Sequence, residues 1–248
     1  MERWEFSFAA IIAAVLRFVQ IGKADYWYDE GFTVTISRLP FLRMLKATAG
    51  DVHPPVYYTV TWLAEKVSDS EWVMRTPSAL FSLVVLYLTY RLVQRLDLSR
   101  FAQVTVVTWT VISPLHMHYA QETRMYAMLT AEILGLILLL LDRKWTWFTI
   151  LATVTLYTHN YGLFYLPTLG LVAILRDWGS WKRILYWLPA FLLPLVLWLP
   201  WVFILLQQMS QIGGAYWIQT PTPGSVLFVL YQLLFAYSMP QTMQGLAT

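Results

Sequence analysis

Apolar residues run through this chain in long stretches broken by short polar joints, most clearly over residues 6–21, 77–92, 101–115, 126–141, 145–157, 161–175, 184–206 and 226–239. These stretches are apolar all round rather than on one stripe, and a hydrocarbon core of roughly 30 Å is crossed by about 20 helical residues. The pattern predicts about eight crossings. Arg3 ahead of the first run resembles the start of a signal peptide, but Arg17 interrupts that run and no small-x-small site follows, so an uncleaved first helix is expected.

The segment 22–76 departs from this alternation. Its stretch PVYYTVTWLA, residues 55–64, covers only about half a bilayer before Glu65 and Lys66, and predicts a helix lying against the outer interface. Residues 32–47 read likewise, with Leu39, Leu42 and Leu45 on one side of a helix whose Arg43 and Lys46 reach headgroups. Residues 22–76 are therefore expected to form an external cap.

Basic residues in the short joints set the orientation. Arg3, the group Arg91, Arg95 and Arg100, the pair Arg143 and Lys144, and the group Arg176, Lys182 and Arg183 all fall on one side, which reads as cytoplasmic. The other side receives residues 22–76, 116–124, 159–162 and 207–224, where Arg124 is the one basic residue of the short joints.

Composition narrows the chemistry. With 58% hydrophobic and 12% charged residues the chain is neither disordered nor an ordinary soluble domain. Its balance of +3 is spread thinly, so no basic arm is offered to nucleic acid. The absence of cysteine removes thiolate nucleophiles and Cys-ligated metals, and no Gly-x-Ser-x-Gly elbow supports serine chemistry.

Ionisable groups at a membrane are costly, so their placement is informative. Four clusters fall on the external side: Asp29-Glu30, Asp51-x-His53-Pro54-Pro55, the run from His116 to Tyr126 with His118, Gln121, Glu122 and Arg124, and His159-Asn160. Each has a structural reading beside the chemical one. Asp29 and Glu30 suit the start of a helix, where carboxylates meet its positive end, while Tyr26, Trp27 and Tyr28 offer Asp29 a desolvating ring of aromatics. Asp51 suits a plain loop, and His53 is held by the rigid Pro-Pro turn as a candidate phosphate contact. Glu122 and Arg124 suit an internal ion pair, although residues two apart on a helix do not face each other; Arg124 alternatively clamps a phosphate. His159 suits either a buried hydrogen bond or a phosphate donor. Asp29, Asp51, His53, His118 and Glu122 could ligate a divalent metal, with Asp29, Glu122 and His118 as the candidate set, but no tight ligand motif is present.

The ordered motifs Tyr28-Asp29-Glu30, Asp51-x-His53-Pro54-Pro55-x-Tyr57-Tyr58, Arg75-Thr76-Pro77-Ser78-Ala79-Leu80-Phe81, Tyr119-Ala120-Gln121-Glu122-Thr123-Arg124-Met125-Tyr126 and Thr158-His159-Asn160-Tyr161-Gly162 resemble the GT-C membrane glycosyltransferases. Within that group the motifs look most like the bacterial enzymes related to protein O-mannosyltransferases and lipid A aminoarabinose transferase. The match runs in order from Tyr28 to Gly162, and the remainder agrees in hydropathy. The resemblance implies an all-α, GT-C-type bundle of about eight spans with interfacial helices in its first external loop. It also implies inverting transfer from a polyprenyl-phosphate sugar to a glycan, lipid or protein acceptor. By the same resemblance Asp29 is the general base, His53 stands where the family often has a lysine near the donor phosphate, and His159 matches a later external helix end. Arg124 matches a donor-phosphate or acceptor position, and Glu122 the second acidic position.

These roles are chemically coherent. An acceptor hydroxyl needs a carboxylate to take its proton, and a lipid-phosphate leaving group needs positive donors, for which Arg124, His53 and His159 are the candidates. Glu30 and Asp51 join them as candidate substrate contacts, and Tyr216 and Trp217 are candidates either to close over the sugar or to anchor at the headgroups. The expected setting is a bacterial inner membrane with the site on the periplasmic side. A transporter or flippase for an anionic lipid would place polar groups mid-membrane in repeated halves, and no repeat is visible; a non-catalytic assembly subunit is the third reading. The chain is expected to be one module, 1–248, and its end just past a span reads as a truncated or minimal family member.

Overall fold

The computed structural model describes residues 1–212 and 222–235. Among the described residues there are twelve helices and no strand. They are α1 (Arg3–Phe18), α2 (Tyr28–Ser37), α3 (Phe41–Ala49), α4 (Val56–Glu65), α5 (Glu71–Arg95), α6 (Arg100–Ile112), α7 (Pro114–Ala120), α8 (Tyr126–Leu141), α9 (Trp145–Thr158), α10 (Gly162–Arg176), α11 (Trp181–Ile212) and α12 (Pro223–Phe235).

Three apolar clusters hold these helices together. Leu136, Phe148, Ala152, Trp187 and Phe191 join α8, α9 and α11, with Leu166 and Ala173 adding α10. Ala13, Leu86 and Val107 join α1, α5 and α6. Ile36, Met44, Tyr57 and Met128 seat α2, α3 and α4 on the start of α8. Gly135 lets α8 and α9 approach closely, because a Cβ there would stand 2.8 Å from Leu151 Cδ2.

Among the described residues two helices are long and apolar enough to cross a membrane, Glu71–Arg95 and Trp181–Ser210. The other apolar helices have 13 to 16 residues and extend about 20–24 Å at a rise of about 1.5 Å per residue. Large apolar side chains nonetheless face outward along α1, α10 and α11, among them Ile11, Leu171, Leu175, Val196 and Phe203. A water-soluble surface rarely exposes so many large apolar side chains along whole helices.

Polar ties gather at two opposite ends. At one, Arg100 meets Glu5 at 2.6 Å, Arg95 meets Asp142 at 2.7 Å and Arg143 meets the buried Asp177 at 2.9 Å, with Arg176 and Arg183 also within 4 Å of Asp177. These are the basic residues that set the orientation by sequence, and here they also staple the turns. At the other end, Gln121 Nε2 donates to the carbonyls of Leu16, Arg17 and Val19, Asn160 Nδ2 to Val52 O, and Gln208 Nε2 to Thr48 O and Ala49 O.

Prolines account for several departures from the sequence expectation. The single helix over 32–47 is two, α2 and α3, because Pro40 disfavours helix at Leu39 and serves as the N-cap of α3. The run 101–115 ends at Ile112, and Pro114 opens a separate helix, α7, that carries His116 and His118 where a turn was expected. Pro114 has no N–H to give Thr110 O; the fully buried Arg17 supplies it from Nη2 at 2.9 Å, and reaches Val111 O and Ser82 Oγ as well. The second run starts at Glu71 rather than Pro77, since Pro77 is accommodated inside α5. The helix α12 rests on α7.

Candidate active site

The first turn of α2 carries Asp29 and Glu30, and the two carboxylates diverge. Glu30 is buried against α5: Arg75 donates to it from Nε at 2.8 Å and from Nη2 at 2.7 Å, and the Thr123 N–H adds a bond of 2.7 Å. Arg75 also donates to the carbonyls of Ile21, Ala24 and Asp25. Both oxygens of Glu30 are thereby committed to fixing the α1–α2 connection and the 121–125 turn. Neither acid caps α2, whose N-cap is Trp27 with no side-chain bond.

Asp29 faces the other way. Its side chain is 37% exposed, and its Oδ2 lies 3.5 Å from Nη2 of the buried Arg124. The expected aromatic enclosure does not form: Tyr28 is 87% exposed and Trp27 is half-exposed. The Glu122–Arg124 pair does not form either. Residues 121–125 make an irregular turn in which Arg124 turns to Asp29 and Thr33 while Glu122 turns to His118, 2.9 Å away. Ser78 fixes this turn by donating to Arg124 O at 3.0 Å, and is itself bonded to Tyr57.

Two histidines complete this pole. Asp51 receives Tyr58 OH at 2.7 Å and stands 3.4 Å from His53 Nδ1. Burial pushes the Asp51 carboxyl up, but the bonds from His53 and Tyr58 outweigh it and hold the group below its ordinary value. The His53 and His159 rings meet edge to face at 5.1 Å, brought together by the Asn160 bond to Val52. Tyr126 lies 6.1 Å from the His159 ring and 6.0 Å from the Arg124 guanidinium. Burial opposes the charge on Arg124, yet Tyr58, Tyr126 and Asp29 more than offset it and keep the guanidinium firmly protonated.

His159 Nδ1 accepts the Tyr161 N–H at 3.0 Å, so a neutral ring carries its proton on Nε2. Burial, then the charges of His53 and Arg124, push His159 down to about 3; burial and Arg17 push His116 down to about 4. The folded protein keeps both rings neutral while the unfolded chain takes up protons near pH 6.5. Stability linked to these rings is complete above about pH 6.5 and is lost as the pH falls towards 3–4. A His159→Gln variant is expected to flatten that acid limb in a plot of Tm against pH; an acid limb identical to wild type would show that His159 titrates normally.

The candidate metal set does not assemble. Among the described residues no three His, Asp or Glu side chains come together as ligands. His118 and Glu122 pair with each other, and the cation beside Asp29 is Arg124. Tyr216 and Trp217 lie outside the described residues.

Two residues with structural consequence escaped the sequence reading. Arg75 was visible only as part of a motif, and its partner Glu30 is far away in sequence. Glu132 lies inside α8, 5% exposed, and accepts Thr158 Oγ1 at 2.8 Å just before His159. A lone acid within an apolar run was the available signal.

Beside this pole, the α1–α2 connection and α7 line a half-open cavity of about 610 Å³ bordered by Trp27, Glu30, Glu122 and Tyr126. The family model of dolichyl-phosphate-mannose-protein mannosyltransferases matches residues 52–204, more than half of the chain. That span holds His53, Arg75, Glu122, Arg124 and His159, and begins after Asp29 and Asp51. No curated protein matches the chain.

Proposed function

Since the chain belongs to the dolichyl-phosphate-mannose-protein mannosyltransferase family, we propose that it transfers a sugar from a polyprenyl-phosphate donor to an acceptor hydroxyl at the outer membrane face, inverting the anomeric centre, with Asp29 as base. The family consists of integral membrane glycosyltransferases that use such donors. The observation that carries the reading is Asp29, partly open to solvent, 3.5 Å from a buried Arg124 that borders the His53–His159 pair.

In the reaction the acceptor oxygen attacks the anomeric carbon from the face opposite the phosphate. Its proton passes to the Asp29 carboxylate, the new glycosidic bond forms, and the bond to the phosphate oxygen breaks with its electron pair on polyprenyl phosphate. Arg124 supplies the permanent positive charge for that leaving group, and neutral His159 supplies an Nε2–H donor rather than a cation. His53, oriented by Asp51, sits beside it. Glu30 acts as a positioning residue through Arg75 and Thr123.

In this reading the chain is one GT-C-type module in which α1, α5, α6 and α8 to α12 cross the bilayer, and α2, α3, α4 and α7 lie at its outer interface. The shorter crossings are completed by interfacial side chains and local thinning. The setting is a bacterial inner membrane with the site on the periplasmic side, and the acceptor is a glycan, lipid or protein.

Protein reconstituted in vesicles with radiolabelled polyprenyl-phosphate mannose, and with its hexose and pentose analogues, is expected to move label into an added cell-envelope fraction. Movement of the lipid across the bilayer with no transfer would overturn the enzyme reading in favour of transport.

A further inference from the structure

The 610 Å³ cavity is chemically unlike the phosphate pole next to it. Its walls include Asp25, Trp27, His118, Tyr119, Glu122 and Tyr126. The carboxylates around it are Asp25, Glu30 and Glu122, whereas its one guanidinium, Arg75, is spent on Glu30 and three main-chain carbonyls. Arg124, the charge suited to phosphate, does not line it and turns to Asp29 instead. The acidic balance disfavours an anionic occupant.

A second observation points to a ligand. Glu122 is 7% exposed and borders the cavity; its Oε1 is paired with His118, and no protein donor reaches its Oε2. A buried carboxylate oxygen without a donor costs about 1–3 kcal/mol, a cost that a turn of the carboxylate toward a hydroxyl or ammonium in the cavity removes. The aromatic walls add flat apolar faces, and Tyr119 and Tyr126 already stand 4.6 Å apart. The volume lies within the range of about 300–1,000 Å³ usual for small-molecule sites.

We propose that this cavity is the acceptor subsite and that it takes a sugar ring without negative charge, neutral or amino-bearing, whose hydroxyl or amine donates to the Glu122 carboxylate. The word acceptor rests on the Asp29 reading; the binding of the ring does not. Trp27 at the N-cap of α2 and Glu30 in its first turn line the cavity while Asp29 between them meets Arg124, so the base stands at the border between the two poles.

The test is saturation-transfer NMR on the full chain in phosphatidylcholine nanodiscs with no donor lipid present. Methyl glucoside and glucosamine are expected to give signal, with glucuronate at least fivefold weaker. Glu122→Gln is expected to remove the preference for glucosamine over methyl glucoside, and Trp27→Ala, a change at a half-exposed site, to weaken both several-fold. Glucuronate binding as well as glucosamine, or neither variant changing the signals, would overturn the proposal. Displacement of methyl glucoside by maltotriose supports a glycan source, displacement by octyl glucoside a glycolipid source, and displacement by neither overturns the sugar-ring assignment. If the signals appear while wild-type protein transfers no sugar, the subsite stands and the transferase reading falls; transfer without these signals has the opposite meaning.

Discussion

Asp29→Asn is expected to lower sugar transfer by about 10²–10⁴-fold, the range a positioned general base contributes, while leaving the fold intact. Asparagine keeps the size of the side chain and one acceptor oxygen but takes no proton, so the acceptor hydroxyl attacks without assistance. The structural contribution of Asp29 is moderate. Its side chain is over a third exposed, which screens a contact 3.5 Å long, but its partner Arg124 is buried, so the contact is worth more than the ~1 kcal/mol of an exposed pair and less than the ~3–5 kcal/mol of a fully buried one. The variant should therefore unfold within a few degrees of wild type, and under the proposed mechanism, which gives the donor phosphate to Arg124, the loss should appear in kcat more than in the KM of the lipid donor. Transfer of label from polyprenyl-phosphate sugar, measured beside a thermal unfolding curve, separates these quantities. Activity within threefold of wild type would remove Asp29 from the mechanism.

The largest stability effect is expected at Arg75. Arg75→Met removes two charge-assisted bonds to Glu30 and three donors to the 21–25 connection, and leaves the buried carboxylate with the Thr123 N–H alone. Deleting one partner of a buried ion pair costs about 3–5 kcal/mol, mostly the penalty of the stranded charge. In a chain of this size that corresponds to a fall in Tm of roughly 10 °C. Adding Glu30→Gln to Arg75→Met removes the stranded charge and is expected to restore part of the loss. A double variant no more stable than Arg75→Met would mean that the carbonyl clamps, not the ion pair, dominate. Because Glu30 neighbours Asp29 on α2, both variants should also reduce transfer, as a positioning defect.

Much of this architecture was legible without coordinates. The hydrophobic runs anticipated the apolar helices, and the shortness of residues 55–64 correctly kept α4 from being read as a long span. Pro40 and Pro114 were also visible, yet their effect was underestimated because apolar periodicity continued across both. The spacing of Glu122 and Arg124 suggested a local pair that the turn at 121–125 does not permit. The aromatic residues beside Asp29 suggested burial, but adjacent residues on a helix point in different directions, and Tyr28 faces outward.

What the chain determines by itself is the set of apolar segments and the sorting of polar residues between the two kinds of connection. Both follow from transfer energies that add residue by residue along the sequence. Only the tertiary structure decides which polar groups meet: Glu30 with Arg75, Arg17 with the carbonyl that Pro114 leaves open, Asp29 with Arg124, and His53 with His159. Those pairings depend on the rotation and crossing of separate helices. A hydrogen bond or ion pair is won or lost over about an ångström, a scale that hydropathy does not resolve.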